Sequence, residues 1–193
     1  MADVPTLINL FEVPGPEQDD AFLEGWERAG EFINQRVSEI ETALHRSLEP
    51  EADFRFVNVV RIGDPEALRE AIADPAFPGR EMPFSAHPML YGAVEEEGSP
   101  GPAVFINAFE VPANGDGDFT AAWRSAGDFL ARQDGYLGRR LHQSLAPTDF
   151  RFVNIGWWES EDAYRAATAQ PEFSSQVSIP FTGHPGLYEV IRT

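Results

Sequence analysis

Along 150–158, Phe150, Phe152, Asn154, Gly156 and Trp158 fall on one side of a period-two pattern, and Arg151, Val153, Ile155 and Trp157 on the other. Successive side chains of a strand point to opposite faces, so this segment predicts a strand covered on both sides. Upstream, Phe119, Trp123, Ala126 and Leu130 are spaced i, i+4, i+7, i+11, which is one face of a helix. Asp118 is the expected N-cap of that helix. The apolar run 105–111 ends at a proline and predicts a strand; a further strand is predicted over 136–145, with Pro147 in the turn that follows. Ser160 is placed to cap a helix over 162–170, and 186–191 predicts the closing strand. The order is βαββαβ, the ferredoxin-like split-βαβ unit.

The same order occurs earlier in the chain. LINLFEV at 7–13 returns as FINAFEV at 105–111, LHRSL at 44–48 as LHQSL at 141–145, DFRFVN at 53–58 as DFRFVN at 149–154, and HPMLY at 87–91 as HPGLY at 184–188. The offsets are 98, 97, 96 and 97, so a unit of about 90 residues is duplicated. Two copies are too few for a stacked solenoid and read as a fused dimer. The expected layout is a first repeat at 1–94, a charged and Gly/Pro-rich linker at 95–102, and a second repeat at 103–193. In such a unit the helices cover one sheet face, and the other must be buried elsewhere. The prediction is an α+β fold in which two ferredoxin-like repeats place their sheets face to face in an intramolecular pseudo-dimeric barrel.

Composition narrows the partners. A formal charge of −18 repels phosphate, so nucleic acid and anionic membrane surfaces are excluded as partners. The chain has no cysteine, which removes disulfides, thiolate nucleophiles and Cys-based metal sites. No apolar run has the length of a membrane span, and the opening MADVPTLINLF has no positively charged leader, so the expected location is the cytoplasm. There is no GxGxxG, Walker loop, GxSxG or HExxH, and no cofactor or metal is expected.

The candidate site is read from differences between the copies. Asn154, Phe152 and Trp158 share a face with Gly156, which leaves space on that wall; with Val153, Ile155 and Trp157 assigned to the helices, this face is expected to line a pocket between the two sheets. A buried amide there needs hydrogen bonds. The first copy keeps Asn58 but has Val60 and Ile62 where the second has Gly156 and Trp158. One working pocket and one filled one are expected. Histidine is the natural acid or base near neutral pH, and His142 shares a face with Ser144 and Arg140, so it is expected to enter the pocket. His184 stands just before the last strand, as His87 does in the first copy. Asn107 and Phe109 on the first strand of the second repeat complete the expected lining, with Ser144 and His184.

FRFVNIGWWES followed by EDAYRAA, within a βαββαβ unit, resembles the antibiotic biosynthesis monooxygenase superfamily, whose members form dimeric α+β barrels. The resemblance covers each copy almost end to end. It implies a cofactor-independent oxygenase acting on an aromatic polyketide-like phenol or anthrone with O2, in which Asn154, Trp158 and Tyr164 match the family's arrangement. It further implies that Asn154 holds a substrate oxygen, Trp158 shapes the pocket near O2, and His142 or Tyr164 manages the proton. Family members also use an arginine late in the domain, and none lies between Arg165 and Arg192. The first copy has Ile62 and Leu68 at the Trp and Tyr positions and is expected to be inactive. Heme-degrading relatives pair a first-strand Asn with a third-strand Trp, as Asn107 and Trp158 do, but also need a histidine on the second helix, which 162–170 lacks. A cyclase or isomerase using the same cavity, and a non-catalytic small-molecule binder, are the alternatives. Whether the fused pair dimerises again is left open.

Overall fold

A computed structural model of the chain describes residues 4–193, so the first three positions of the opening segment lie outside the described residues. The first repeat runs β1 (Thr6–Glu12), α1 (Asp19–Asn34), β2 (Ile40–Ser47), β3 (Phe56–Ile62), α2 (Pro65–Ala73) and β4 (Ser85–Gly98). The second runs β5 (Ala103–Glu110), α3 (Asp116–Leu130), β6 (Tyr136–Ser144), β7 (Phe152–Trp158), α4 (Glu161–Thr168), a one-turn α5 (Phe173–Gln176) and β8 (Thr182–Arg192). Among the described residues no helix is long and apolar enough to cross a membrane.

The strands close an antiparallel barrel in the order β1-β3-β2-β8-β5-β7-β6-β4. Each repeat contributes a four-stranded sheet. The seams are β2 with β8 and β4 with β6, so the last strand of each repeat pairs with the other repeat. Two buried tyrosines tie the halves reciprocally. Tyr91 donates to the Phe150 carbonyl at 2.8 Å, and Tyr188 donates to the Phe54 carbonyl at the same distance.

Capping sets the helix starts. Asp64 and Ser160 accept hydrogen bonds from the backbone N–H groups of Ala67 and Ala163, as N-caps do. Asp118, by contrast, lies inside the first turn of α3; the helix begins two residues earlier, with Gly115 at the N-cap. Asp116 at that first position clamps Arg151, the residue before β7, bidentately, at 2.5 and 2.6 Å. The equivalent pair in the first repeat, Asp19 and Arg55, has the same geometry and is more deeply buried.

Of the stretch 95–102, Glu95–Gly98 belong to β4 and pair with β6, leaving 99–102 to join the repeats. The acidic run is ion-paired there while staying partly exposed. Glu95 pairs with Arg124, Glu96 with Arg140 and Glu97 with Arg139. The opposed basic residues of the second repeat make strand pairing the favourable state for a segment whose charge density reads as a linker.

The two faces of each sheet are the reverse of the expectation. Val153, Ile155 and Trp157 point into the barrel, where they pack with Ile8, Leu10, Val57 and Tyr91 of the first repeat. Phe152, Asn154, Gly156 and Trp158 point outward, beneath the helices; Phe152 stacks on Phe119 of α3 with ring centroids 4.3 Å apart. Phe150 precedes β7 and turns inward with Phe54. Alternation identifies residues that share a face, but both faces here are buried and apolar, so it does not say which one meets the helices.

Candidate active site

A cavity of about 370 Å3 lies between the outer face of the second repeat's sheet and its helices, rather than between the two sheets. β5 and β7 form its floor, α3 one wall, and α4 with the 173–181 segment the other. A depression of similar volume at the turn Glu49–Asp53 has no aromatic lining and is not the site.

β7 brings Asn154, Gly156 and Trp158 to the floor at alternate positions. A Cβ added at Gly156 would have no atom nearer than 3.9 Å, so any side chain there would project into the cavity. Trp158 is almost fully buried and stands edge-on to Tyr136 and Tyr164, with centroids 5.4 and 5.6 Å away. Tyr164 stacks on Phe105 at 5.1 Å. Burial pushes its hydroxyl well above the usual tyrosine range, so Tyr164 stays neutral near physiological pH.

The placement of Asn154 is the most informative. Trp123 of α3 donates its Nε1–H to Asn154 Oδ1 at 2.8 Å. An indole nitrogen only donates, so this bond fixes which end of the amide is oxygen and leaves Nδ2 with two donors for a ligand. Asn107 lies opposite Asn154 in the β5–β7 register, and its buried Oδ1 has no hydrogen-bond partner in the protein. The Asn154 donors thus stand on an aromatic-walled floor, with Asn107 beside them.

Arg139 of β6 also lines the cavity, and the sequence reading did not identify it. Its guanidinium lies 3.8 Å from the Trp123 ring centroid, donates to the Trp123 carbonyl at 3.1 Å, and holds Glu97 as an ion pair at 2.9 Å, though the Nε–H is not aimed along that contact. Gly127 makes the arrangement possible, because a Cβ there would overlap the guanidinium. The signal was present: Arg139 stands opposite Gly156 in the β6–β7 register, and the first repeat has Thr42 at the equivalent position. Arg139 places a fixed positive charge in a mostly apolar cavity with no late-domain arginine.

Asn154, Trp158, Tyr164, Gly156, Asn107 and Phe109 therefore line one cavity. Phe152 belongs to the packed cluster under α3 and is not part of the lining. His142 does share a face with Ser144, but that face is the inner one: His142 stands opposite Val153 and is 1% exposed, inside the barrel. Ser144 pairs with Tyr91 across the seam. His184 lies within β8 at the end of the barrel, against the Phe54 and Phe150 rings and within hydrogen-bond reach of Asp53 and Glu110. None of these three reaches the cavity. In the first repeat Val60, Ile62 and Leu68 form an aliphatic cluster at the positions of Gly156, Trp158 and Tyr164.

Residues 102–176 match the family model for antibiotic biosynthesis monooxygenase. The chain is 36% identical over 92 residues to deoxynogalonate monooxygenase of Streptomyces nogalater, covering 46% of this chain and 76% of that protein. It is 28% identical to SnoaB, a cofactor-independent oxygenase of the same organism, over 52% of this chain and 97% of that one, with a TM-score of 0.40. The crystal structure of an anthrone oxidase-like protein shares the fold across both repeats, with a TM-score of 0.78 over 97% of this chain and 91% of that one, at 17% identity. A family-model match over the cavity-bearing repeat, with this identity over three quarters of a curated monooxygenase, makes the chain a tandem-repeat member of the antibiotic biosynthesis monooxygenase family and an enzyme of the monooxygenase class.

Proposed function

We propose that the second repeat oxygenates an electron-rich phenol or anthrone of the aromatic polyketide type, using O2 and no bound cofactor. The observation that carries this reading is the Trp123–Asn154 hydrogen bond, which presents two amide donors to an aromatic cavity sized for a fused-ring ligand. The monooxygenase relative, named for a single small-molecule substrate, supports it.

An anthrone or phenol becomes reactive toward O2 once deprotonated. Asn154 Nδ2 donors and the Arg139 charge would lower the energy of that anion in a site with little competing water. The anion passes one electron to O2, giving a substrate radical and superoxide, and these combine to form a carbon–oxygen bond. For an anthrone the resulting peroxide takes a proton and loses water to leave a quinone carbonyl, so that a ring methylene and one O2 become a ring carbonyl and one water. Trp158, Tyr164 and Phe105 hold the ring plane in place during these steps.

Oxygen uptake with dithranol, a hydroxyanthrone, tests the reading. Asn154→Ala and Trp158→Phe should each lower kcat by about 100-fold, the scale of lost electrostatic or positioning groups. Asn58→Ala should leave turnover intact and act on stability alone. Equal activity loss from Asn58→Ala would refute a single working site, and product formation without oxygen would favour a cyclase or isomerase.

A further inference from the structure

Among the described residues the cavity wall contains no histidine or carboxylate: its polar side chains are Asn107, Asn154, Arg139, Tyr136 and Tyr164, with the indoles of Trp123 and Trp158. Yet a reaction that begins with substrate ionisation must send a proton somewhere. One path leads out. Tyr136 lines the cavity, and its hydroxyl donates to Glu97 Oε1 at 2.8 Å. Glu97 is about half exposed, so a proton arriving there exchanges with solvent. It comes from the other repeat: β4 continues past its own sheet and pairs Glu97 with Arg139 of β6.

We infer that Glu97 of the first repeat is the proton acceptor for the second repeat's active site, working through the Tyr136 hydroxyl. This rests on the oxygenase reading above. Substrate gives its proton to Tyr136 Oη as the Tyr136 proton moves to Glu97, leaving a substrate anion and a neutral carboxyl. After oxygenation the same proton returns through Tyr136 to the peroxide, which then loses water. Four electrons pass from the substrate to O2, two as the peroxide forms and two as it loses water, and the relay ends as it began. Tyr136 never needs to ionise; burial and the neighbouring Glu97 hold its hydroxyl well above the usual range, as suits a neutral carrier. Arg139 and Tyr136 are the groups that face Glu97. The adjacent Glu95 and Glu96 are engaged by Arg124 and Arg140. Glu97 thus acts through Tyr136 as a relay residue, and the second repeat's site is incomplete without the first repeat's strand.

Glu97→Gln keeps an acceptor oxygen for Tyr136 but cannot take a proton, and Tyr136→Phe removes the carrier. With dithranol at about pH 7, each should lower kcat by about tenfold or more while KM stays within about threefold. The deficit should shrink as pH rises and the substrate ionises in solution, and the double variant should be no slower than the slower single one. A kcat within twofold of the parent for either variant, a deficit constant with pH, or effects that multiply in the double variant would each overturn the relay. A separate readout needs no oxygenation: the ionisation rate of dithranol bound anaerobically, followed by its anion absorbance after a pH jump. It should slow by about tenfold or more in Glu97→Gln. Equal rates overturn the relay even if the parent consumes oxygen. A parent that binds and ionises dithranol through Glu97 but takes up no oxygen refutes the oxygenase reading alone. A parent that binds no dithranol overturns both.

Discussion

Trp123 holds the Asn154 amide, the group proposed to meet substrate. Its indole nitrogen accepts nothing, so while it faces Asn154 the amide has one orientation. Trp123→Phe keeps an aromatic ring near Arg139 and removes the donor together with part of the indole. Asn154 Oδ1 then loses its partner, and the amide can turn its oxygen toward the cavity, where it repels a bound anion. The expected result is a fall of about tenfold in kcat, with stability lower by about 1–3 kcal/mol for the unsatisfied oxygen. Steady-state oxygen uptake and a thermal melt on the same preparation check both.

At the scale of elements, each long helix is fastened to its sheet by one carboxylate at its first turn. Asp19 and Arg55 are both nearly buried, so Asp19→Ala strands a buried guanidinium and should cost about 3–5 kcal/mol. Asp116 and Arg151 are partly exposed, and solvent screens them, so Asp116→Ala should cost about 1 kcal/mol or less. Denaturant melts of the two variants should keep that order. The hydrogen bond and charge of Arg151 hold the Asp116 carboxyl below the usual range, so its share of stability is present above about pH 3.9 and is lost as pH falls through the lower folded value.

The elements themselves were legible in the sequence, because period two and the helical spacing are local signals. The orientation of the faces was not. Period two puts Asn154, Gly156 and Trp158 on one face but does not say which side of the sheet carries the cavity, so it does not separate His142 from them. Both sides are apolar, and only the crossing of α3 over β7 separates them. Arg139 does not stand out in the sequence because charged strand residues usually face water. Nor does Glu97, because three consecutive acids resemble a linker until their basic partners on β6 and α3 are in place.

Across the whole molecule, the barrel joins its halves through ionisable contacts as well as hydrogen bonds. His184 of the second repeat meets Asp53 of the first at 2.8 Å and Glu110 of its own repeat at 3.0 Å. Burial alone would lower its pKa; the hydrogen bonds to Asp53 and Glu110 outweigh that and raise it. A raised folded value means that the stabilisation is fully present below the unfolded value of about 6.5 and is lost as pH rises through the folded value. Thermal stability should therefore decline from about pH 6 toward pH 8, and His184→Gln should flatten that slope. An unchanged slope in the variant would assign the decline to other groups.

The seams carry a consequence for how such a protein changes. In a barrel assembled from two identical chains, each substitution appears twice, related by the twofold axis, and a side chain that closes one cavity closes both. Here the reciprocal tyrosine bonds still follow the symmetry, while Val60, Ile62 and Leu68 break it on one side. One polypeptide lets the halves be inherited together yet altered separately. The first half carries an aliphatic cluster where the second has its cavity, so a variant library confined to Val60, Ile62 and Leu68 alters that half while the second half keeps its own lining.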